Sequence, residues 1–514
     1  MSNEFEVHGL LLRLIPPSLC KPEQKAQWED DEGEESSTYT LLRKPTSLQE
    51  FNPYKQLAVW RENETLTYVV PFGGNSPHLS CEDRKSLTIE LGKASPTLYI
   101  VGETEDAIVD TAAFFMSFHN WKDSIFHVST IEDRFYFSGD RSSSSAQLFE
   151  RISASEIRLT DLSLTAAQST VLATKPYRIS LTLDDCVFED EGTAFVNALA
   201  KRTSSFGSLT FNGQGDDDED QFGLSRDNLE RLLQVKVLEH FGSPMIHEAE
   251  LALDALCAKV KSVECGIFIT YLDPNLLVNG LEGFDIVAEN LALSFENEYQ
   301  GGFPTKTLLA FFRHLGKLGH FKKIKFRFDF KPEVMKIPES IVQELIRTVF
   351  ANRNLEVLDL TAKRGDLEWD AHLETLLDGL KDHSALRTLK INGSYDAFGR
   401  DFSYIRNLIS HNRSITVMDK DERIHGDRYG IPAIYSLNRF YCGSKALVVE
   451  PPSERAPLVA TALLQKCRFS LKRSALLLSD NTDALLDLIQ AVPLDECEEA
   501  LSTAYQVPKR PRRA

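Results

Sequence analysis

Histidines, acidic clusters and glycine-rich turns are the features of this 514-residue chain that could do chemistry. His247 and Glu248 begin an HExxH zinc motif, but Leu251 occupies the position of its second histidine, so no zinc site is predicted. The acidic run Gly215–Asp220 lacks the ligand spacing of an EF-hand and is predicted to be a solvated loop. Gly73–Ser76 is predicted to be a turn between strands.

The local signatures of the common enzyme classes are missing from the sequence. There is no GxxxxGK phosphate loop, no GxGxxG after a strand and no GxSxG nucleophile motif beside the 12 histidines. We therefore predict that the protein is not an enzyme and uses no cofactor or metal. A hydrolase or transferase site in the N-terminal region stays open as an alternative, because a catalytic triad draws its members from distant positions.

Charge and cysteine usage narrow the class of partner and the environment. The chain has 57 Lys and Arg against 76 Asp and Glu, a net charge of −19, which disfavours binding to nucleic acid or to an anionic membrane. No run of about 18 apolar residues predicts a membrane span, and the N-terminus does not resemble a signal peptide. The eight cysteines are scattered without a CxxC pair, which is typical of reduced thiols in a soluble intracellular protein.

The elements that would position any functional residue follow a repeated phrase, Leu-x-x-Leu-x-Leu. Leu355–Leu360 and Leu386–Ile391 carry it clearly, whereas Phe321–Phe326 and Ile415–Lys420 carry weaker copies. Their starts are 34, 31 and 29 residues apart, which is the spacing of a repeat protein. Amphipathic segments with the helix period lie between the predicted strands: Thr193–Arg202, Lys306–Leu318, Glu339–Asn352, Ala371–His383 and Phe402–Asn412.

Two earlier units align with each other without gaps. The first supplies Ile157, Leu159, Leu162 and Leu164 as inward residues; the second supplies Leu181, Leu183, Cys186 and Phe188. Further strands are predicted to start at Leu209, Val235, Ile267, Leu291, Ile324, Leu358, Leu389 and Met418.

From Ser155 to Lys420 the chain resembles leucine-rich repeat proteins of the ribonuclease-inhibitor type, with divergent repeats. The resemblance implies a solenoid with parallel strands on its concave side and helices on its convex side. Cys186 stands where such repeats place Asn or Cys, so its side chain is expected to bond the backbone of the neighbouring coil. A plain layered α/β domain is the structural alternative.

Composition divides the chain into five parts around this predicted solenoid. A small α+β domain has predicted strands at Leu66–Val70, Leu87–Leu91, Thr97–Val101 and Ile125–Val128 and a helix at Glu105–Phe118. The C-terminal cap is predicted from helices at Ala456–Ser479 and Asn481–Ala491, with a further short helix around Cys497. The predicted parts are the α+β domain at 1–138, a Ser-rich linker at 139–150, the solenoid at 151–425, the helical cap at 426–507 and a basic tail at 508–514.

The resemblance implies a protein-binding surface on the concave face, and so a non-catalytic interaction scaffold. The residues expected to bind the protein partner are Lys325, Arg327, Asp359, Thr361, Lys390 and Asn392. An ordinary solvated sheet face is the alternative for these side chains. A substrate receptor of a ubiquitin ligase, or a GTPase regulator with a catalytic arginine at Arg364, are the alternative functions.

The last residues of the chain form a dense basic motif. They include the four cations Lys509, Arg510, Arg512 and Arg513, which Pro508 and Pro511 keep extended. Extended basic side chains of this kind fit the groove of an importin-type carrier. The sequence therefore predicts a nuclear-import signal and a nuclear or nucleocytoplasmic location, with a solvated terminus as the alternative.

Overall fold

The computed structural model describes residues 11–28, 37–54, 57–71, 74, 77, 84–92, 95–119, 125–130, 135–136, 148–213, 222–269, 284–297, 303–330, 336–361, 369–427, 430–468 and 470–491. The chain divides into two compact units. Unit 1 comprises residues 1–314 and 323–334, and unit 2 comprises residues 315–322 and 335–514. The fold is of the mixed α/β type in both.

Unit 1 begins with mainly antiparallel strands. Their bounds are β1 Leu12–Leu14, β2 Thr38–Leu41, β3 Leu57–Trp60, β4 Leu66–Val70, β5 Lys85–Glu90, β6 Thr97–Gly102 and β7 Ile125–Ser129. They pair in the order β1, β2, β3, β4, β6, β5, β7, and only the β2–β3 pair is parallel. Helix α1 spans Glu105–Met116 and is capped by Thr104, whose side chain accepts a hydrogen bond from the amide of Ala107. These elements confirm the predicted strands and helix within a few residues.

The sheet of unit 1 continues directly into the repeat strands, because β7 pairs in parallel with β9. The strands that follow are β8 Phe135–Tyr136, β9 Glu156–Thr160, β10 Leu162–Leu164, β11 Ile179–Asp184, β12 Val187–Phe188, β13 Gly207–Asn212, β14 Leu238–Ile246, β15 Ser262–Phe268, β16 Asn290–Asn297 and β17 Lys323–Phe330. Strands β9, β11, β13, β14, β15, β16 and β17 are parallel neighbours in that order, and β8, β10 and β12 form a small second parallel sheet.

Helices alternate with these parallel strands. They are α2 Ala166–Ala173, α3 Thr193–Lys201, α4 Arg226–Leu233, α5 Ala249–Leu256 and α6 Thr305–Leu318, whose last four residues belong to unit 2. Along β17, Ile324, Phe326 and Phe328 are buried, whereas Lys325 and Arg327 between them are partly exposed. This period of two gives the sheet one apolar face and one polar face.

The strand register confirms the gap-free alignment of the first two repeat units. Leu181 lies opposite Ile157, and Phe188 lies opposite Leu164. Cys186 is buried, and its thiol donates a hydrogen bond to the carbonyl oxygen of Leu159 at 3.3 Å. The expected bond between neighbouring coils is therefore present.

Three of the predicted strand starts are wrong. Val235 lies before β14, and the β14 residue that pairs with Leu209 is Phe241. Ile267 lies near the end of β15, whereas Val263, near its start, is the residue that pairs with Phe241. The register of β14 shifts between Gly242 and Met245 because Pro244 has no amide hydrogen to donate to a neighbouring strand. In unit 2 the inward residue is Val417, one position before the predicted Met418.

Unit 2 continues the strand–helix alternation with β18 Val357–Asp359, β19 Thr388–Lys390 and β20 Thr416–Met418, which are parallel neighbours. Its helices are α7 Glu339–Ala351, α8 Leu373–Leu380, α9 Ser403–His411, α10 Gly430–Ala446, α11 Pro452–Ala462, α12 Leu471–Asp480 and α13 Thr482–Ala491. The single predicted helix Ala456–Ser479 is thus two helices. Ser470 begins the second, and its hydroxyl accepts a bond from the amide of Arg473 at 3.4 Å.

A chain of buried polar side chains follows the helices of unit 2. The Asn352 amide group, at the end of α7, donates to the carbonyl oxygens of Thr348 and Leu315 at 2.8 and 3.3 Å. His383 bonds the carbonyl oxygen of Asn352 at 3.1 Å, and Asn412 donates to the carbonyl oxygen of His383 at 2.8 Å. These bonds tie each connection to the preceding one and satisfy backbone groups that burial hides from water.

Candidate protein-binding face

The outward face of unit 1 consists of the side chains that alternate with the buried ones along the parallel strands β9 to β17. The register aligns them in rows across the sheet. The first row contains Arg158, Thr182, Thr210, Gly242, Glu264, Ala292 and Lys325. The second contains Thr160, Asp184 and Asn212 and, beyond the irregular β14, Gly266, Ser294 and Arg327. The middle of the face is therefore small and polar, whereas charged groups lie toward both ends.

Arg327, a predicted binding residue, forms an ion pair with Glu264. One guanidinium nitrogen lies 3.2 Å from the Glu264 carboxylate, although the two residues are two strands apart. Neighbouring strands are about 4.8 Å apart, and the side chains meet because the intervening residues of β16 are the small Ala292 and Ser294. The side chains of Arg327 and Glu264 are 23% and 44% exposed, so a pair of this kind contributes about 1 kcal/mol at most to stability.

Two glycines leave the backbone without covering side chains in the middle of the face. A side chain at Gly242 would lie 2.8 Å from the Thr210 side chain, and one at Gly266 would lie 2.3 Å from the Met245 sulfur. Met245 and Pro244 crowd Gly266 because the irregular part of β14 brings them over it. Because neither glycine has a side chain, this part of the outward face projects little beyond the backbone.

Acidic residues of successive coils lie together at the other end of the face. Asp161 and Asp185 occupy equivalent turns after β9 and β11, with left-handed φ angles of 57° and 49°. The Asp161 amide donates to the Asp184 carbonyl oxygen at 2.9 Å. Burial, together with the carboxylates of Asp185 and Asp161, raises the pKa of Asp184 above its usual range, against the opposing effect of Arg158.

Removing the charge of Asp184 should stabilise the protein at neutral pH. The folded-state pKa of Asp184 lies above its ordinary value of 3.8. Ionisation of Asp184 therefore lowers the free energy of unfolding as the pH rises through these values, and this loss of stability persists at pH 7. We expect Asp184→Asn to raise the free energy of unfolding by about 0.5 kcal/mol at pH 7. Urea unfolding should show the gain shrinking toward pH 4, whereas the exposed control Asp382→Asn should show no such trend. A destabilised Asp184→Asn protein would contradict the prediction.

The predicted binding residues of unit 2 are largely engaged in local contacts. Asp359 and Thr361 are only 8% and 7% exposed. One Asp359 carboxylate oxygen accepts bonds from the Thr361 amide and hydroxyl at 3.0 and 2.6 Å. These two residues therefore shape the end of β18 and present little surface to a partner.

Lys390 and Asn392 are bound by the turn that follows β20. The Lys390 ammonium group donates to the Glu422 carboxylate at 2.6 Å, and the Asn392 side-chain oxygen accepts from the Lys420 amide at 3.2 Å. The Asp419 carboxylate holds this turn by accepting bonds from the amides of Asp421 and Arg423, both at 2.8 Å. The weak copy of the repeat phrase at Ile415–Lys420 is thus followed by a turn that contacts β19.

Sequence reasoning missed Glu264, which the structure joins to Arg327. The wrong strand start at Ile267 hid it, because Val263, Cys265 and Ile267 are the buried residues of β15 and Glu264 alternates with them. The alternating letters V-E-C-G-I contain the signal that would have found it.

Other predicted features fall on parts of the chain that the structure does not describe. They are Arg364, the acidic run Gly215–Asp220, most of Gly73–Ser76, most of the predicted linker at 139–150, the short helix around Cys497 and the cations Lys509, Arg510, Arg512 and Arg513. Among the described residues, no helix combines the length and hydrophobicity that crossing a membrane requires. The same residues contain no group of three or more His, Cys, Asp or Glu that could hold a metal ion. Comparison with protein families and with curated proteins gives no match for this chain.

Proposed function

We propose that the protein is a non-catalytic interaction scaffold and that the outward face of unit 1 binds a protein partner. The observation that carries the proposal is the series of neighbouring parallel strands from β9 to β17, with a described helix in five of their six connections. This arrangement supports the divergent leucine-rich repeat solenoid that the sequence resembles. In such a solenoid, the aligned outward rows form one extended surface for a partner.

The composition of the face favours a protein as the partner. Its middle is built from short side chains, so the backbone of a partner could approach closely. Lys325 and the Arg327–Glu264 pair lie at one end, and Arg158 and Asp184 lie toward the other. Charges of both signs at the margins of a surface select the orientation of a partner and speed its association.

The test reverses charge at the Lys325 end of the face. Affinity capture from the native cell, with quantification of the retained proteins, should identify a partner that the wild-type chain retains and that Lys325→Glu/Arg327→Glu retains at least tenfold less. Lys201→Glu/Lys236→Glu is the matched control, because it reverses two exposed lysines elsewhere in unit 1. Equal capture by all three chains would remove this face as the binding surface. The loss of the Arg327–Glu264 pair costs little stability, so an unchanged melting temperature would show that each variant is folded.

The basic tail supports a second, separate element of the proposal, transport by an importin-type carrier. Replacement of Lys509, Arg510, Arg512 and Arg513 by serine in a fluorescent fusion should lower the nuclear-to-cytoplasmic ratio severalfold, because a carrier groove recognises these cations. Pro508→Ser/Pro511→Ser is the milder companion variant, which keeps all four charges. An unchanged ratio in the four-serine variant would refute the import signal and leave the scaffold proposal untouched.

A further inference from the structure

Two leucines of unit 2 remain almost fully exposed on an anchored turn. Leu464 lies in a π-helical turn, Leu463–Cys467, that follows α11, and Leu471 is the first residue of α12; they are 75% and 86% exposed. Cys467, between them in sequence, is buried in the helical core with Val459 and Leu477. Burial of exposed leucine side chains against a partner is favourable. The two leucines therefore form a candidate apolar contact site.

The same turn is basic although the protein is acidic. Residues 455–479 contain five Lys and Arg and no Asp or Glu. Of these cations, Lys466, Arg468 and Lys472 are exposed. The Arg473 guanidinium donates to the Lys466 carbonyl oxygen at 3.4 Å and helps to fix the turn. We call Leu464, Lys466, Arg468, Leu471 and Lys472 the basic–apolar turn.

The sequence that follows α13 has the complementary character. Residues 494–505 contain Asp495, Glu496, Glu498 and Glu499 and no Lys or Arg. Leu494, Cys497 and Leu501 recur there at spacings of three and four, the period of an amphipathic helix. We call residues 494–505 the acidic segment; they lie outside the described residues.

We propose that the acidic segment docks on the basic–apolar turn of the same chain. Its apolar residues would cover Leu464 and Leu471, and its carboxylates would meet Lys466, Arg468 and Lys472. Covalent attachment raises the effective concentration of a tethered segment to the millimolar range for a short linker, well above that of a separate partner. The chain favours its own segment as the occupant for this reason.

The length of the connection permits this contact. Ala484 of α13 belongs to the same buried cluster as Cys467, and Ala491 lies seven residues further along that helix, about 10 Å away. The six residues from Ala491 to Cys497 span up to about 20 Å when extended, and about 15 Å when residues 494–497 are helical.

A disulfide trap in the full-length chain tests the contact. Leu471→Cys should form a disulfide with the native Cys497 when the protein is incubated with oxidised glutathione, and peptide mapping should find that link within a monomer. Val449→Cys is the matched control, because Val449 is 84% exposed but lies outside the basic–apolar turn. Adding Cys497→Ser should abolish the link. Either no link, or a link only between two chains, would overturn the proposal.

Peptide binding provides a second measurement that does not depend on the trap. The probe is a fluorescein-labelled peptide of residues 494–506. We expect full-length Leu494→Ser/Leu501→Ser, whose own segment is weakened, to bind the probe at least tenfold more tightly than the wild type. Adding Lys466→Glu/Lys472→Glu should remove that gain, whereas adding Lys445→Glu, an exposed lysine on α10, should leave it. Equal binding by wild type and Leu494→Ser/Leu501→Ser would overturn the proposal. So would sedimentation of both proteins with phosphatidylserine vesicles in place of peptide binding.

Discussion

Lys175→Met should lower the free energy of unfolding of unit 1 by about 3 kcal/mol. Lys175 is 5% exposed, and its ammonium group donates to the carbonyl oxygens of Phe149 and Ile152, both at 2.6 Å, and of Glu150 at 3.2 Å. Methionine fills a similar volume but donates no hydrogen bond. Each buried acceptor that loses its partner costs about 1–3 kcal/mol, and Tyr177 compensates only at Ile152, where its hydroxyl already donates at 2.7 Å.

Denaturant unfolding followed by circular dichroism measures the loss, and Lys201→Met is the control. Lys201 ends α3 and is exposed, so its removal should change the free energy of unfolding by less than about 0.5 kcal/mol. A loss below about 1 kcal/mol for Lys175→Met would mean that water satisfies the three carbonyl groups in its place.

Asn352→Leu should destabilise unit 2 by about 3 kcal/mol. Asn352 is fully buried, and its side-chain oxygen accepts a bond from the Phe321 amide at 3.1 Å while its amide group donates to Leu315. Leucine has as many side-chain heavy atoms as asparagine and leaves no cavity, so the loss would come chiefly from the unsatisfied Phe321 amide and Leu315 carbonyl. Hydrogen exchange at Phe321 should accelerate together with the shift in the unfolding midpoint.

Asn407→Leu provides the matched control for this prediction. Asn407 lies on α9, is exposed, and donates a single long bond to Asp378 at 3.3 Å. We expect less than about 0.5 kcal/mol from this change. If both leucine variants were equally stable, the buried polar chain through Asn352, His383 and Asn412 would not be the element that holds the connections of unit 2 together.

The alternation of apolar and polar residues predicted the inward side chains correctly where the strand pairing is regular. β11 and β17 alternate apolar and polar residues without interruption, and their inward residues follow from the sequence alone. The same reasoning failed at β14, where the pairing with β13 is irregular between Gly207 and Ser208, so that Phe241 and not Val235 lies opposite Leu209. At β15 the predicted start at Ile267 missed Val263 and hid Glu264.

The buried polar residues of unit 2 illustrate a different limit. The Asn or Cys that defines leucine-rich repeats follows the strand, and Cys186 stands in that place. The buried polar residues of unit 2 instead lie at the ends of helices, three positions before the repeat phrase: Asn352, His383 and Asn412 precede Leu355, Leu386 and Ile415. The aligned sequences contain this pattern, but its role becomes evident only from the carbonyl groups that the side chains reach. His383 bonds the carbonyl oxygen of Asn352 and accepts a bond from the Leu386 amide at 3.1 Å, so its role is structural.

On the candidate face, alternation predicted which side chains point outward but not which of them are paired within the protein. Lys325 and Arg327 were placed correctly on the outward side of β17, since alternation decides which way a strand residue points. The engagement of Lys390 with Glu422 depends on a turn that begins after the repeat ends. No repeat-based argument covers that turn, so the sequence could not show that Lys390 is ion-paired.

Two buried thiols among the described residues of unit 1, Cys186 and Cys265, can report when the surrounding structure opens. Burial raises the pKa of Cys186 and of Cys265 to about 12, and the thiolate is the species that alkylating reagents attack. Neither sulfur should therefore react until the backbone around it separates from its neighbours. Pulsed iodoacetamide labelling would time that event at both positions: simultaneous modification would mean that these coils open as one cooperative block, and staggered modification that they peel apart in sequence.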